Sequence, residues 1–311
     1  MMKAVLAGHA SQLHIGESSK PDPNDYDVLV KVIIISMYPV PKGVSQILGL
    51  EISGTVENVG KKVTKYKFGD KVFGLLYGGA YAEYALINED MVMLLPDQLT
   101  FQQGAAIPEV WFTAYQALHL IANIQEGHNL LIHAGASGVG LALVELSKLA
   151  KARNIFATVG SDVKVKFIEK LGVTKGINYK VLEYTDNRGV DIIIDLVGKD
   201  YWHKNMDCLA VDGRMVILSS MSGAAVSNVD LSPFLRKSIR VEGSRLRSRP
   251  LDYQINLRNL FYKNIFPLFT TPESPLKIII DKVFDWKKIS EAHKYLESNV
   301  NIGKVIINVT D

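Results

Sequence analysis

The stretch Asn129 to Ala150, NLLIHAGASGVGLALVELSKLA, decides the fold of this chain. Leu130 to Ile132 form a short apolar run suited to a buried parallel strand, and Leu141 and Val144 begin one face of a helix. Between them lies the turn GASGVG, residues 135–140. Glycines in such a turn let the backbone approach a pyrophosphate, and N–H groups at a helix start bind anions. The stretch therefore predicts a dinucleotide-binding strand, turn and helix.

The glycine spacing, G-x-x-G-x-G at residues 135–140, differs from G-x-G-x-x-G, so a tight connection without a ligand is the alternative interpretation. The surrounding pattern favours the dinucleotide, because helix-like stretches separate further strands, as in a doubly wound parallel sheet. The predicted helices are Asp162 to Leu171 and Tyr201 to Ala210. The predicted strands are Asn154 to Val159, Lys175 to Tyr179, Asp191 to Val197, Arg214 to Ser219 and Ser238 to Gly243.

The residues before this region predict a small β domain without helical periodicity. A helical pattern then extends from Phe101 to Ile121, with Thr100 as a cap and a break at Pro108-Glu109 before Trp111 to Ala122. The predicted strands of the β domain are Met2 to Leu6, Asp27 to Ile35, Gly49 to Gly60, Asp70 to Phe73 and Tyr81 to Leu86.

The residues after Gly243 form a third part of the pattern. A long helix is predicted from about Leu251 to Phe269, followed by a strand at Lys277 to Val283, a helix at Lys288 to Leu296 and a strand at Lys304 to Asn308. These strands do not extend the nucleotide-binding sheet naturally. We infer that they return to the first domain, which makes that domain discontinuous.

The composition of the chain limits the classes of partner and metal site that we expect. The 311 residues, 48% of them hydrophobic, can fill two cores. With 35 Lys+Arg against 32 Asp+Glu, the net charge of +3 gives no reason to expect a nucleic-acid or membrane surface. The single cysteine, Cys208, excludes an internal disulfide and a multi-cysteine zinc site. Without a signal peptide or a membrane-length apolar run, we expect a soluble, cytoplasmic protein.

Five motifs occur in a characteristic order. They are GLEISG at 49–54, AAIPEVWFTAY at 105–115, AGASGVG at 134–140, VDIIIDLVG at 190–198 and EAHKYLESNVNIGKV at 291–305. In this order the chain resembles the zinc-independent quinone oxidoreductases of the medium-chain dehydrogenase/reductase superfamily. Within them it is most similar to the p53-inducible quinone oxidoreductase type and, more distantly, to zeta-crystallin.

The resemblance implies an α/β fold of two domains. A GroES-like, β-rich catalytic domain would comprise residues 1–112 and 250–311, and a Rossmann domain with a doubly wound parallel sheet would comprise 113–249. It also implies an NADPH-dependent reductase and a homodimer joined at the edge of the Rossmann sheet. Ser238 to Gly243 would then be the strand at the contact, although a strand covered within one chain is the alternative.

The end of the second predicted nucleotide-domain strand indicates which cofactor binds. An NAD enzyme usually has Asp or Glu about 20 residues after the glycine loop, whereas Val159-Gly160-Ser161 lies here, followed by Asp162 and Lys164. In the family the matching Gly, Ser and Lys bind the 2′-phosphate of NADPH, helped by a tyrosine that matches Tyr179. Asp162 adds a negative charge nearby. Some relatives also use an arginine near the C-terminus, and this chain has Asn299 near that place. Phosphate binding is therefore expected to depend mainly on Lys164.

The resemblance also implies contacts with the rest of the cofactor. Residues of the helix before the glycine loop, of the glycine loop, of two later loops and of the closing segment would contact it. They are Thr113, Ser137, Gly138, Val139, Leu196, Val197, Gly198, Ser219, Ser220, Met221 and Asn301.

The substrate side departs from the family at Ile35 to Pro39. Relatives have a longer segment there with an Asn-x-x-Asp pattern, and this chain passes almost directly to Tyr38, which matches a cleft tyrosine. We predict Tyr38 as the catalytic, substrate-side residue. The alternative interpretation is that Tyr38 is only an aromatic loop residue packed on prolines. The Ser36–Met37 junction and the connection near Lys180 are both short, and we interpret them as places where residues are missing.

The pattern at Gly49-Leu50-Glu51 excludes the metal chemistry of zinc-dependent relatives. Those relatives have Gly-His-Glu at this place and a four-cysteine lobe, and Leu50 cannot bind zinc. Glu51 remains, and we interpret it as a structural carboxylate. No metal is therefore expected.

Three functions remain open. The first is reduction of a quinone by NADPH, and the second is reduction of an activated C=C bond in an enal, enone or enoyl thioester. The third is a nucleotide-binding, crystallin-like or RNA-associated protein with little activity. The dinucleotide loop favours the two enzymes, and an assay of NADPH oxidation with quinones and enones separates all three.

Overall fold

The chain forms two compact units. The computed structural model describes residues 1–7, 13–37, 47–176 and 182–309. The first unit contains Met1–Val110, Arg249–Ser274 and Ile278–Asp311, and the second contains Trp111–Ser248 and Pro275–Lys277. The domain boundaries inferred from the sequence, 1–112 with 250–311 and 113–249, are kept as a proposal.

The secondary structure of the described ranges alternates in the second unit and is mostly β in the first. The strands are β1 Met2–Ala7, β2 Leu13–Ser18, β3 Asp27–Ser36, β4 Glu51–Val59, β5 Lys71–Leu75, β6 Tyr84–Asn88, β7 Val92–Leu94, β8 Asn129–Ile132, β9 Asn154–Ala157, β10 Lys175–Gly176, β11 Val190–Asp195, β12 Leu209–Ile217, β13 Arg240–Gly243, β14 Ile280–Asp285 and β15 Lys304–Asn308. The α-helices are α1 Phe101–Ala105, α2 Pro108–Tyr115, α3 Gly138–Leu149, α4 Asp162–Leu171, α5 Trp202–Cys208, α6 Ser232–Lys237, α7 Leu251–Asn264 and α8 Ile289–Glu297.

The sheet of the first unit has the order β14-β15-β3-β4-β5-β7, and β6 also pairs with β3. β1 and β2 pair antiparallel in a separate two-stranded sheet. Because β15 is antiparallel to β3, the C-terminal strands return to the first sheet, as the sequence predicted. Val28 to Val30, near the start of β3, and Ile34 to Ser36, at its end, are buried, which matches the apolar run that predicted the strand.

The sheet of the second unit has the order β10-β9-β8-β11-β12-β13. All its pairings are parallel, so the carboxyl ends of the strands lie at one edge. This is the order of a Rossmann fold, in which the chain reverses direction across the sheet next to the first strand. The predicted fold class, a GroES-like β-rich domain with a doubly wound parallel sheet domain, is confirmed.

The two central strands of the Rossmann sheet are buried on both faces. Leu130 to Ile132 and Ile192 to Ile194 are at most 2% exposed. This is why both segments are continuous apolar runs, with no alternation of polar residues. Their core includes Phe156, Met206 and Met215 from neighbouring elements.

Several predicted boundaries are wrong by a few residues. β12 begins at Leu209 rather than Arg214, so the predicted helix to Ala210 ends earlier, at Cys208. The helix after the Pro108 break starts at Pro108 itself, because proline is favoured in the first turn of a helix. The long helix predicted to Phe269 ends at Asn264 and continues as a 3₁₀ turn, Phe266–Thr270.

Two features bear on the remaining predictions about the chain. Ser36 ends β3, and the Met37 N–H donates to Val305 O at 3.1 Å. That residues are missing at this junction stays a prediction. The connection near Lys180 lies outside the described residues. Within the described ranges, none of the helices has the length and apolar character needed to cross a bilayer.

Candidate functional site

The glycine loop between β8 and α3 is packed too closely for side chains. A Cβ on Gly140 would lie 2.4 Å from Ala134 O, and one on Gly135 would lie 2.6 Å from Ala157 Cβ. Backbone atoms cannot retreat easily, and a real Cβ does not approach a neighbour so closely. Both positions therefore require glycine for the helix to pack against the ends of β8 and β9.

The start of α3 forms the candidate anion site. Ser137 caps the helix, and Gly140 N–H donates to Ser137 Oγ at 3.0 Å. The first N–H groups of a helix have no partner within the helix. Those of Gly138 and Val139 can therefore meet a pyrophosphate, and the positive end of the helix dipole favours that charge.

The loop after β9 adjoins this edge of the sheet. Gly160 and Ser161 are exposed, and among the described residues no heavy atom lies within 4 Å of the place of a Cβ on Gly160. Ser161 caps α4, since Lys164 N–H donates to Ser161 Oγ at 3.4 Å. Asp162, the first residue of α4, is exposed. The loop offers open space, a hydroxyl and a lysine beside a helix start.

The structure brings together two loops predicted to contact the cofactor. Met221 N–H donates to Leu196 O at 3.5 Å, and Ser222 N–H donates to Val197 O at 2.9 Å. Gly198 has φ +87°, a left-handed conformation that favours glycine. The predicted residues of the loop after β11, Leu196, Val197 and Gly198, are thus tied to those of the loop after β12, Ser219, Ser220 and Met221.

A buried polar network lies beneath these loops, and our sequence reasoning missed it. His133 is 2% exposed, and its ring nitrogens lie 3.1 Å from Thr158 Oγ1 and 2.7 Å from Asn205 Oδ1. Asn205 Nδ2 donates to Asp195 Oδ2 at 3.1 Å. A signal was available, because His133 and Asp195 each end a buried apolar strand, where polar side chains need partners.

Thr113 carries an orphaned polar atom. It lies on α2, just before the π-helical turn Gln116–Ile121, a kind of turn that occurs often at functional sites. Its Oγ1 is buried and has no hydrogen-bond partner among the described residues. Buried hydroxyls are normally paired, so a cofactor group is a suitable partner for this atom. Together with the open space at Gly160, this orphan shows that the residues of the second unit fit a dinucleotide.

Three predicted site residues lie outside the described part of the second unit. Asn301 belongs to the first unit, where its Nδ2 donates to Gly303 O at 2.8 Å. Tyr38 and Tyr179 lie outside the described residues. Their roles stay predictions.

Glu51 is fully buried in the first unit and is paired. Lys304 Nζ lies 2.7 Å from Glu51 Oε2, and Glu109 N–H donates to Glu51 Oε1 at 2.8 Å. Leu50 beside it is also buried. This arrangement agrees with a structural carboxylate. No group of three or more His, Cys, Asp or Glu that could hold a metal occurs in the part of the chain that the structure describes, so these residues do not fit a zinc site.

Both units match known families. Residues 22–97 match the family described as alcohol dehydrogenase GroES-like domain, and residues 138–261 match the family described as zinc-binding dehydrogenase.

The relatives include mammalian reductases and fungal synthases. The quinone oxidoreductase of Pongo abelii is 30% identical over 308 residues, which cover 92% of this chain and 90% of that protein. A highly reducing polyketide synthase of Penicillium roqueforti is 32% identical over 276 residues, 84% of this chain, and the match spans only 13% of the synthase.

Solved structures share the whole fold. The quinone oxidoreductase of Pseudomonas syringae pv. Tomato DC3000 matches with a TM-score of 0.84 at 27% identity, over 99% of this chain and 100% of that one. The chain therefore belongs to the quinone oxidoreductase family of the medium-chain dehydrogenase/reductase superfamily.

Proposed function

We propose that the protein is an NADPH-dependent reductase that transfers hydride to a quinone without a metal. The observation that carries the cofactor choice is the open end of β9 at Gly160 and Ser161, where no carboxylate ends the strand. A carboxylate there would bind the ribose 2′-hydroxyl and repel a 2′-phosphate. Lys164, in the first turn of α4, supplies a cation for that phosphate.

In this proposal the chain binds and orients, and the cofactor carries the chemistry. When bound, reduced nicotinamide supplies the hydride. Gly138, Val139 and Lys164 hold the phosphate groups, and the two linked loops after β11 and β12 orient the nicotinamide end. The oxygens of a reduced quinone can take protons from water, so no dedicated acid is required. We assign Tyr38 to orienting the acceptor.

Replacing Lys164 by alanine is expected to weaken NADPH binding by roughly tenfold or more and to spare NADH. A charge-assisted hydrogen bond is worth about 1.5–3 kcal/mol, which corresponds to about a factor of ten or more in affinity. Fluorescence titration with both cofactors measures this. Lys166→Ala, an exposed neighbour on the same helix, is the matched control. Equal losses for both cofactors in Lys164→Ala would overturn the assignment.

Reduction of an activated C=C bond is the second candidate. The similarity to a highly reducing polyketide synthase supports this candidate. NADPH oxidation assayed with a set of quinones and a set of enones and enoyl thioesters decides between them. Faster turnover of the enones would replace the first proposal. Turnover of neither, with cofactor binding intact, would favour a nucleotide-binding protein of another class.

We also propose a cytoplasmic homodimer that joins two copies at β13. This strand is an edge of the Rossmann sheet, and Arg240, Glu242 and Gly243 on it are exposed. An open edge can pair with a second copy. Sedimentation equilibrium should give twice the chain mass of 34.5 kDa, and a monomer at micromolar concentration would contradict the contact.

A further inference from the structure

The buried polar network has a defined direction. Asp195 Oδ1 accepts the N–H groups of Val197 at 2.7 Å and of Gly198 at 3.1 Å, while its Oδ2 lies 3.1 Å from Asn205 Nδ2. A carboxylate accepts hydrogen bonds, so the amide nitrogen of Asn205 must face it. The amide oxygen of Asn205 then faces His133 and can only accept.

This direction fixes the protonation of His133. Its Nε2 lies 2.7 Å from the Asn205 oxygen and must carry the proton, which leaves Nδ1 to accept from the Thr158 hydroxyl at 3.1 Å. Burial lowers the pKa of His133, against the opposing effects of Asn205 and the Asp195 charge. The neutral Nε2–H form therefore prevails at neutral pH. The ring of Tyr201 packs edge-on against the imidazole, 4.6 Å between centroids.

The network ends on both loops of the candidate site. At one end Thr158 Oγ1 accepts the Ala134 N–H at 3.4 Å, at the start of the glycine loop. At the other end Asp195 holds two successive N–H groups of the loop after β11. That loop in turn accepts hydrogen bonds from the loop after β12. A path of hydrogen bonds, buried from Thr158 to Asp195, thus joins the start of the glycine loop to the loops after β11 and β12.

We infer that His133 and Asn205 are positioning residues that set the spacing between the glycine loop and the loop of residues 196–198. The inference rests on the proposed cofactor, because its consequence for binding needs a ligand that contacts both loops. Loops that already have their bound conformation bind a ligand more tightly, since the cost of ordering the loops no longer opposes binding. A buried network of polar side chains also specifies one arrangement of the surrounding structure when every group in it is hydrogen-bonded.

The opposite edge of the same sheet supplies a matched control. There Asn154 Nδ2 donates to Asn129 Oδ1 at 2.9 Å, where β8 and β9 begin. This amide pair has similar chemistry and lies on the same two strands, but at their amino ends. Breaking it perturbs stability without touching the loops at the carboxyl ends.

The experiment compares five variants of the full chain with the wild type. His133→Leu and Asn205→Leu interrupt the network, and Thr158→Val removes one hydroxyl with little change of shape. His133→Gln keeps an N–H donor toward Asn205, and Asn154→Leu is the control. The first readout is amide hydrogen exchange of residues 196–198 without ligand. The second is the dissociation constant for NADPH, and the third is the melting temperature.

His133→Leu and Asn205→Leu should speed amide hydrogen exchange at 196–198 and weaken NADPH binding about tenfold. Each leaves a buried polar group unpaired, and the free-energy cost of such a group corresponds to about a factor of ten or more in affinity. Thr158→Val should show the same direction to a smaller extent. His133→Gln should stay close to the wild type in exchange and affinity. Asn154→Leu should lower the melting temperature and leave both other readouts unchanged.

Two results would overturn the inference. One is unchanged exchange and affinity in both leucine variants, and the other is an equal change in the Asn154→Leu control. If a leucine variant does not fold, the exchange and affinity of Thr158→Val and His133→Gln still test the inference. A wild type that binds neither NADPH nor NADH contradicts the proposed function instead, and the exchange of residues 196–198 then decides the inference by itself.

Discussion

Replacing Lys304 by methionine is expected to lower the free energy of unfolding by about 3–5 kcal/mol, because removal of one partner leaves a buried charge uncompensated. Lys304 Nζ lies 2.7 Å from Glu51 Oε2, and the two side chains are 7% and 0% exposed. Without the ammonium, Glu51 retains the Glu109 N–H on its other oxygen. Guanidinium unfolding followed by circular dichroism measures the loss.

The control is an ion pair at the surface of the same unit. Lys62 Nζ lies 2.8 Å from Asp25 Oδ2, with side chains 56% and 48% exposed. Lys62→Met should change stability by no more than about 1 kcal/mol, as exposed pairs usually do. Adding Glu51→Leu to Lys304→Met should recover much of the loss, because an apolar pair needs no counter-charge. A loss in Lys304→Met no larger than that in Lys62→Met would contradict the argument.

Replacing Gly140 by alanine is expected to weaken NADPH binding by about a hundredfold. The added Cβ would meet Ala134 O at 2.4 Å and the Gly135 backbone at 2.7 Å. The loop or α3 must then move by a substantial fraction of an ångström, and a misplacement near 1 Å can cost about 10²-fold. Stability should fall by about 1–3 kcal/mol, as for other overpacked sites.

The matched control for this prediction is Gly243→Ala. Gly243 is exposed, and among the described residues no heavy atom lies within 4 Å of the place of its Cβ. This variant should bind NADPH like the wild type. Titration of both variants by cofactor fluorescence separates the effect of crowding from that of losing a glycine. Wild-type affinity in Gly140→Ala would show that the loop does not approach the pyrophosphate.

The elements that the sequence predicted well have local signals at both ends. The prediction of α4 as Asp162 to Leu171 is confirmed residue by residue, since Ser161 caps its start and Gly172 ends it with φ +108°. The prediction of β15 as Lys304 to Asn308 is confirmed too. The strand, turn and helix around the glycine loop were likewise predicted from neighbouring residues. The dinucleotide contacts assigned to that loop stay a prediction.

The elements that the sequence did not predict depend on distant partners. Asp212 and Gly213 have the composition of a turn, yet they lie within β12, with Asp212 at φ +59°. β2, Leu13–Ser18, is half-exposed and is held by its pairing with β1. The pairing of His133 with Asn205 joins residues 72 positions apart. The ends of the buried strands indicate that His133 and Asp195 need partners, but no local pattern shows which residues pair over such distances, so only the folded chain reveals the pairing.

The position of β15 in its sheet has a consequence for synthesis on the ribosome. The Ile34 to Ser36 part of β3 pairs with Ile306 to Asn308. At about 5–20 residues per second, the chain between them takes roughly 10–50 s to emerge. During that time this part of β3 has an unpaired edge, and Glu51 lacks its ion pair with Lys304. Nascent chains halted before Lys304 should therefore remain protease-sensitive around β3 and β4, and early protection there would show that the sheet closes without its last strand.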